Sequence, residues 1–165
     1  MGAEGRYEDY LYIQMMEREW LRAPVQSDRH FPNGPSDKAS IALLYWTYFE
    51  TRIERLLQIG LKTTPKALAE DTLNRYASIG SRLDKLYRIL FGTTYEKDLC
   101  SIGQPSLWTH LKEVQKRRND FIHGNPQSID DPFVLTVVDR LKDEHDAWIA
   151  VFNRRIRAYR GGGNV

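Results

Sequence analysis

Cysteine is nearly absent from this chain: Cys100 is the single one in 165 residues. That excludes an internal disulfide and a cysteine-rich metal site, and a reducing cytoplasm is the expected setting. Cys100 itself, beside Leu99, reads as a small buried residue. Long apolar runs are also lacking, so no segment is expected to cross a bilayer as a helix. Residues 1–9 are polar and have no signal-peptide core. No stretch alternates in the manner of a strand, and no internal repeat is found. The glycines are scattered or gathered in the tail Gly161-Gly162-Gly163, which leaves no phosphate-cradling loop, and no Gly-x-Ser-x-Gly nucleophile motif occurs. Excess charge is lacking too. Lys and Arg number 24 against 22 Asp and Glu, a net charge of +2. A pI near 8.6 is too mild to mark a nucleic-acid binder by bulk charge.

What remains is a globular composition, 41% hydrophobic and 28% charged, which separates it from disordered and membrane chains. The apolar residues recur at helical spacing almost throughout. A first helix is expected over about Glu4–Arg22, with Tyr12, Ile13, Met16 and Trp20 on one side. Residues 23–35 carry Pro24, Pro32, Gly34 and Pro35 and read as a loop, which holds His30 and Phe31. Ser36 offers an N-cap for a second helix reaching about Leu61. Thr64 and Pro65 open a third, continuing to about Phe91, with Gly80 on its apolar stripe as a point of close helix approach. Residues 92–105 form a connector with a short helix near Tyr95–Cys100. A fourth helix begins near Pro105 or Ser106 and ends at His123. A fifth starts at Asp131-Pro132 and carries Val134, Val137, Leu141, Trp148 and Phe152. The expected fold is all-α, an up-and-down bundle of four to five helices in a single domain over residues 1–160, followed by a flexible tail over 161–165.

The most informative stretch is Arg118-Asn119-Asp120-Phe121-Ile122-His123, followed at once by Gly124 and Pro126. Leu107, Leu111, Val114, Arg118 and Phe121 fall three or four residues apart, which puts Arg118 on the apolar face. An arginine there needs neutralising. Either Glu50 or Glu54 pairs with it, or the face lines a cleft that receives an anion; the two are compatible. Arg118 and His123 are five residues apart, about 140° around an ideal helix. Gly124 and Pro126 stop that helix, so His123 sits where the backbone unwinds. Asn119, four residues earlier, can bond one ring nitrogen. An imidazole is suited to moving a proton near neutral pH, and it can equally cap its helix by bonding a carbonyl. Lys112, Lys116, Arg117 and Arg118 form one basic cluster and Arg154, Arg155, Arg157 and Arg160 another. Each is either a nucleic-acid contact surface or a solvated helix face. His110 lacks the carboxylate spacing of a metal site, and His145 falls on an apolar stripe as a core or interface histidine.

Arg118, Asn119, His123 and Gly124, set at a helix end in an all-helical chain, resemble the signature of the HEPN superfamily. The motif covers six residues, and the helical layout extends the likeness over roughly residues 5–160. The polar-aromatic run Tyr48, Phe49, Glu50, Arg52, Ile53 and Glu54 is similar to the family's second helix. The resemblance implies a helical bundle that forms homodimers, with the motifs of two subunits facing one composite cleft. It also implies a metal-independent endoribonuclease without a cofactor, of the sort found in toxin–antitoxin and antiviral defence systems. Arg118 would bind the scissile phosphate, His123 would act as general acid or base, and Asn119 would orient His123 or contact phosphate. Lys116 and Arg117 would contact RNA, with Glu50 and Glu54 in support. An antitoxin or other regulatory protein is an implied partner. Members controlled by a nucleotidyltransferase antitoxin often carry a tyrosine two residues beyond the histidine. Asn125 stands there, so that mode of control is not implied. Some members have lost catalysis and act as binding modules for a protein or nucleotide, which is the alternative reading.

Overall fold

Helix boundaries among the described residues follow from a few side chains and from the positive-φ glycines Gly92, Gly103 and Gly124. A computed structural model describes Ser36 and residues 38–161, with side chains through Arg157. The first expected helix, the loop with His30 and residues 162–165 lie outside the described residues. Six helices and no strand occur among the described residues: α1 (Ala39–Gly60), α2 (Lys66–Arg75), α3, α4 (Tyr95–Ser101), α5 (Pro105–Ile122) and α6 (Asp131–Gly161). Helix α3 is composite, with Ile79–Ser81, a π-helical turn at Arg82–Leu86, and Tyr87–Phe91 in sequence. The architecture is an all-α helical bundle.

Ser36 stands in the turn that leads into α1, where its Oγ accepts from the Lys38 N–H at 3.1 Å and its carbonyl from the Ala39 N–H at 3.0 Å. Thr94 caps α4 through Lys97 N–H at 3.3 Å. The continuous third helix expected over 65–91 is instead two helices. Tyr76 ends α2, and the Ser78 hydroxyl accepts from the Ser81 N–H at 3.2 Å to begin α3. A serine at this point offers the backbone an alternative to the continuing helix ladder, and here the alternative prevails. Pro65 stands at the N-cap position of α2 without a side-chain bond. Within α3 the Tyr87 N–H donates to the Arg82 carbonyl, five residues back.

The described chain divides into two compact units. One takes the chain up to Tyr48 together with His110–Glu144; the other takes Phe49–Thr109 and the chain from His145. In the first unit Tyr45 and Trp46 of α1, Leu111 and Val114 of α5 and Val134 and Val137 of α6 are buried. Each such side chain contributes on the order of 1.5–3 kcal/mol by leaving water. The Ser36 N–H donates to the Ile129 carbonyl at 2.9 Å, tying the start of α1 to the segment before α6.

The second unit buries Phe49, Ile53, Leu56 and Leu57 of α1 with Leu83, Leu86 and Tyr87 of α3. Asp98 of α4 is buried among them. Tyr87 Oη donates to Asp98 Oδ2 at 2.5 Å, Arg155 Nε donates to the same oxygen at 2.7 Å, and Arg155 Nη2 donates to Oδ1. A buried carboxylate is expensive unless its lone pairs are met, and here a bidentate guanidinium and a phenol meet them. Burial and the adjacent Asp98 carboxylate hold the Tyr87 phenol well above its ordinary range. Burial alone would lower the Arg155 guanidinium, but its bond to Asp98 outweighs that and raises it. Arg52 is also buried, and its Nη2 lies 3.0 Å from His145 Nδ1. A guanidinium can only donate, so that ring nitrogen is the acceptor. His145 is thus a structural histidine.

Two expectations are corrected. A Cβ at Gly80 would meet nothing within 4 Å, so no neighbouring helix needs a glycine there. The close approach is at Gly60, where a Cβ would lie 3.1 Å from Leu90 Cδ1 and Phe91 Cζ. Cys100 is exposed, because Leu99 takes the inward position of α4.

Gly80→Ala is expected to stabilise the protein by about 0.5–1 kcal/mol, and Gly60→Ala to gain less or to destabilise; urea unfolding of both variants checks this. Asp98→Asn is expected to lower stability by about 3–5 kcal/mol, because Arg155 keeps its charge without a counter-ion. Tyr87→Phe should cost only about 1–2 kcal/mol in the same assay.

Candidate functional site

The end of α5 is built by a backbone motif. The Gly124 N–H donates to the Phe121 carbonyl at 3.3 Å and the Asn125 N–H to the Asp120 carbonyl at 2.9 Å. Gly124 has φ +98°, a conformation that side-chain-bearing residues rarely adopt. Together these form a Schellman cap with Gly124 one residue past the helix. His123 is therefore the C-cap residue, its N–H donating to the Asn119 carbonyl at 3.0 Å. Its ring is exposed and makes no hydrogen bond to any described residue.

Arg118 lies a little more than one turn earlier and is half-buried. The stripe above it, Leu107, Leu111 and Val114, is fully buried, whereas Phe121 below is partly open. The apolar face thus emerges toward solvent where Arg118 stands. Arg118 Nη1 donates to Asn119 Oδ1 at 3.1 Å. Of the two roles open to Asn119, orienting His123 or contacting phosphate, neither is seen in this geometry, where its side-chain oxygen accepts from Arg118. Glu54, expected as a counter-charge for Arg118, accepts from Arg82 at 3.0 Å and from Gln58 at 3.2 Å. Glu50 is half-buried on α1.

Lys116 and Arg117 differ sharply from one another. Lys116 pairs with Asp120 at 3.1 Å one turn on, with a side chain 70% exposed. Such an exposed pair holds weakly and leaves the ammonium accessible. Arg117 is enclosed. Its Nε donates to Glu113 Oε1 at 2.5 Å, and its Nη1 donates to the Ser128 carbonyl at 3.1 Å and lies 3.6 Å from Asp130 Oδ1. The guanidinium carbon stands 4.5 Å from the centre of the Phe133 ring. Ser128 Oγ returns a bond to the Arg117 carbonyl at 2.8 Å. Asp130 also caps α6, accepting from the Phe133 N–H at 3.0 Å. Only the Glu113–Arg117 spacing hinted at this set in the sequence.

In the same unit, His110 is buried with Nε2 unpartnered, its ring centre 6.1 Å from that of Tyr45, whose hydroxyl is also buried without a partner. Burial, helped by the Arg140 charge and opposed by Glu113, pushes the imidazole down to about 4. Glu144 is buried in the apolar row of α6, with Oε2 unpartnered. Burial pushes its carboxyl well above the ordinary carboxylate range. In each, burial disfavours the charged form. Among the described residues, no three His, Cys, Asp or Glu side chains come together as a metal site, and no helix is long and apolar enough to cross a membrane.

Comparison with protein families, curated proteins and solved structures finds no match to this chain.

The raised Glu144 has a defined pH signature. A carboxyl whose folded pKa exceeds its unfolded one contributes its full stability below the unfolded value, near 4.5, and loses it as pH rises. Glu144→Met is therefore expected to stabilise the protein by about 1–3 kcal/mol at pH 8 and by less at pH 5. His110 titration affects both proteins alike, so it drops out of the difference. Urea unfolding of both proteins at the two pH values measures it.

Proposed function

We propose that this chain is an endoribonuclease of HEPN type that cuts RNA without a metal. The observation that carries the reading is the state of the two chemical groups at the end of α5. His123 presents an imidazole to solvent with no hydrogen bond to any described residue. Arg118, on the preceding turn, is held by the amide oxygen of Asn119, which leaves its charge unneutralised by that bond. A guanidinium free to meet a phosphate and an imidazole free to exchange a proton suffice for transesterification of RNA.

In this reading an imidazole takes the proton of a ribose 2′-hydroxyl, and O2′ attacks the adjacent phosphorus. Arg118 stabilises the charge that develops on the non-bridging oxygens. The 5′-oxygen leaves and receives a proton, giving a 2′,3′-cyclic phosphate and a 5′-hydroxyl end. DNA lacks the attacking hydroxyl and is spared. One imidazole accepts and another donates most simply when two copies of the chain bring their helix ends together, so the active form is a homodimer. Lys116, exposed beside the pair, contributes to RNA binding. The setting that fits is cytoplasmic, in toxin–antitoxin or antiviral defence, under control of a partner protein.

A second reading is a non-catalytic helical module that binds a protein or a nucleotide. One observation favours it: Asn119 serves Arg118 and leaves His123 without an orienting side chain.

The two readings separate in one experiment. EDTA-treated protein is incubated with total RNA and with a single-stranded DNA of matched length. Wild type should cut RNA alone, while His123→Ala and Arg118→Ala, with unchanged circular dichroism and melting, should each lose about 10²–10⁴-fold in rate. Intact RNA with wild type and no cellular effect of His123→Ala would select the module.

A further inference from the structure

Arg117 reads in the sequence as one more cation for RNA, and its surroundings argue otherwise. Glu113 and Asp130 lie against it, so the local balance of the three groups is one positive charge against two negative. A phosphate approaching this guanidinium would meet net repulsion and would have to displace bonds already made. Those bonds share a direction. Arg117 donates to the carbonyl of Ser128 and receives a bond from its hydroxyl. It also lies beside Asp130, the cap of α6, and over Phe133 in that helix's first turn. All of these partners except Glu113 follow the Schellman cap that ends α5.

We propose that Arg117 is a positioning residue: it fastens the segment over 124–130 to α5 and so holds steady the helix end from which His123 projects. This rests on the reading of Arg118 and His123 as the RNA-cutting pair. The physical ground is that the His123 ring has no bond of its own to a described residue, so its place is set by the backbone alone. Helix ends fray unless the chain beyond them is anchored. The segment after Gly124 has one short 3-10 turn, Pro126–Ser128, and no buried residue until Ile129. Arg117 grips it at Ser128, from both the carbonyl and the hydroxyl side. A lysine would keep the charge but cannot reproduce the fork that reaches Glu113, Ser128 and Asp130 together.

The test uses the full chain and a labelled single-stranded RNA oligonucleotide that wild type cuts. Arg117→Lys should lower kcat roughly tenfold to a hundredfold with KM and its salt dependence unchanged. Asp130→Ala should lower kcat in the same way, although it removes an acid and would help RNA binding on electrostatic grounds. A lysine variant with wild-type kcat overturns the proposal. So does an Asp130→Ala variant changed only by a lower KM, or an Arg117→Ala whose salt dependence is shallower by about one ion. Should Arg117→Lys fail to fold, Ser128→Ala carries the test, with a kcat loss of about fivefold expected and no loss overturning it. If wild type and His123→Ala are equally inactive, the ribonuclease reading itself fails. The fastening is then judged by hydrogen exchange. Faster exchange of the Ser128 and Ile129 amides in Arg117→Lys or Ser128→Ala supports it, and unchanged exchange overturns it.

Discussion

Gly124 holds its backbone at φ +98°, and the end of α5 is arranged around that one turn. Because the chain reverses there, the carbonyls of Asp120 and Phe121 find donors in Asn125 and Gly124, and the helix closes without a side chain taking part. His123 is thereby relieved of any capping duty and left at the surface. The chain then has six residues, 125–130, in which to reach α6, and Ser128, Ile129 and Asp130 each meet a partner on the way. One left-handed residue thus sets where the imidazole stands and where the next long helix begins.

The unit's two adjacent arginines show how environment assigns different tasks to one residue type. Arg117 is gripped by two carboxylates, a carbonyl and an aromatic face, and acts as a cross-link. Arg118, next along the helix, bonds to an amide oxygen and emerges where the buried stripe of α5 ends. The second unit disposes of its charges more completely. Asp98 has each oxygen occupied, whereas Glu144 in the first unit is carried into the core with a bare oxygen, and burial pushes its carboxyl up. A buried carboxylate with each oxygen met is costly to break, and a bare one is a penalty that grows as pH rises.

Much of the helical layout was legible because helix ends rest on local chemistry. Ser36 and Gly124 each act through bonds within a few residues of themselves and stood out in the sequence, and Thr94 acts in the same local way. The break at Tyr76–Ser78 could not, since the apolar spacing from Leu73 through Tyr76 to Leu83 runs straight across it. Only the competition between Ser78 as a cap and the helix ladder decides the matter. Gly80 and Cys100 were misread because periodicity gives a face but not what stands opposite it. At the site, Arg118, Asn119 and His123 share one turn-and-a-half of helix and are visible as a motif. The bond from Arg118 to Asn119 is a rotamer choice that spacing does not reveal. The grip on Arg117 comes from residues beyond the helix end, and the Tyr87–Asp98–Arg155 cluster joins three helices, so neither leaves a local pattern.

The π-helical turn at Arg82–Leu86 has a consequence for the length of the chain. Such a turn contains one residue more than the α-helical turn it replaces, and Tyr87 follows it directly. Removing one residue from this stretch would let the helix relax into regular α-geometry, and because the wide turn already absorbs that residue the helix beyond it would keep its facing. The Tyr87 hydroxyl would stay on Asp98, and the carboxylate would keep both its phenol and its guanidinium. A substitution here alters one side chain. A deletion in the regular turns beside it would rotate everything beyond by about 100°, whereas this wide turn can give up a residue and keep the register.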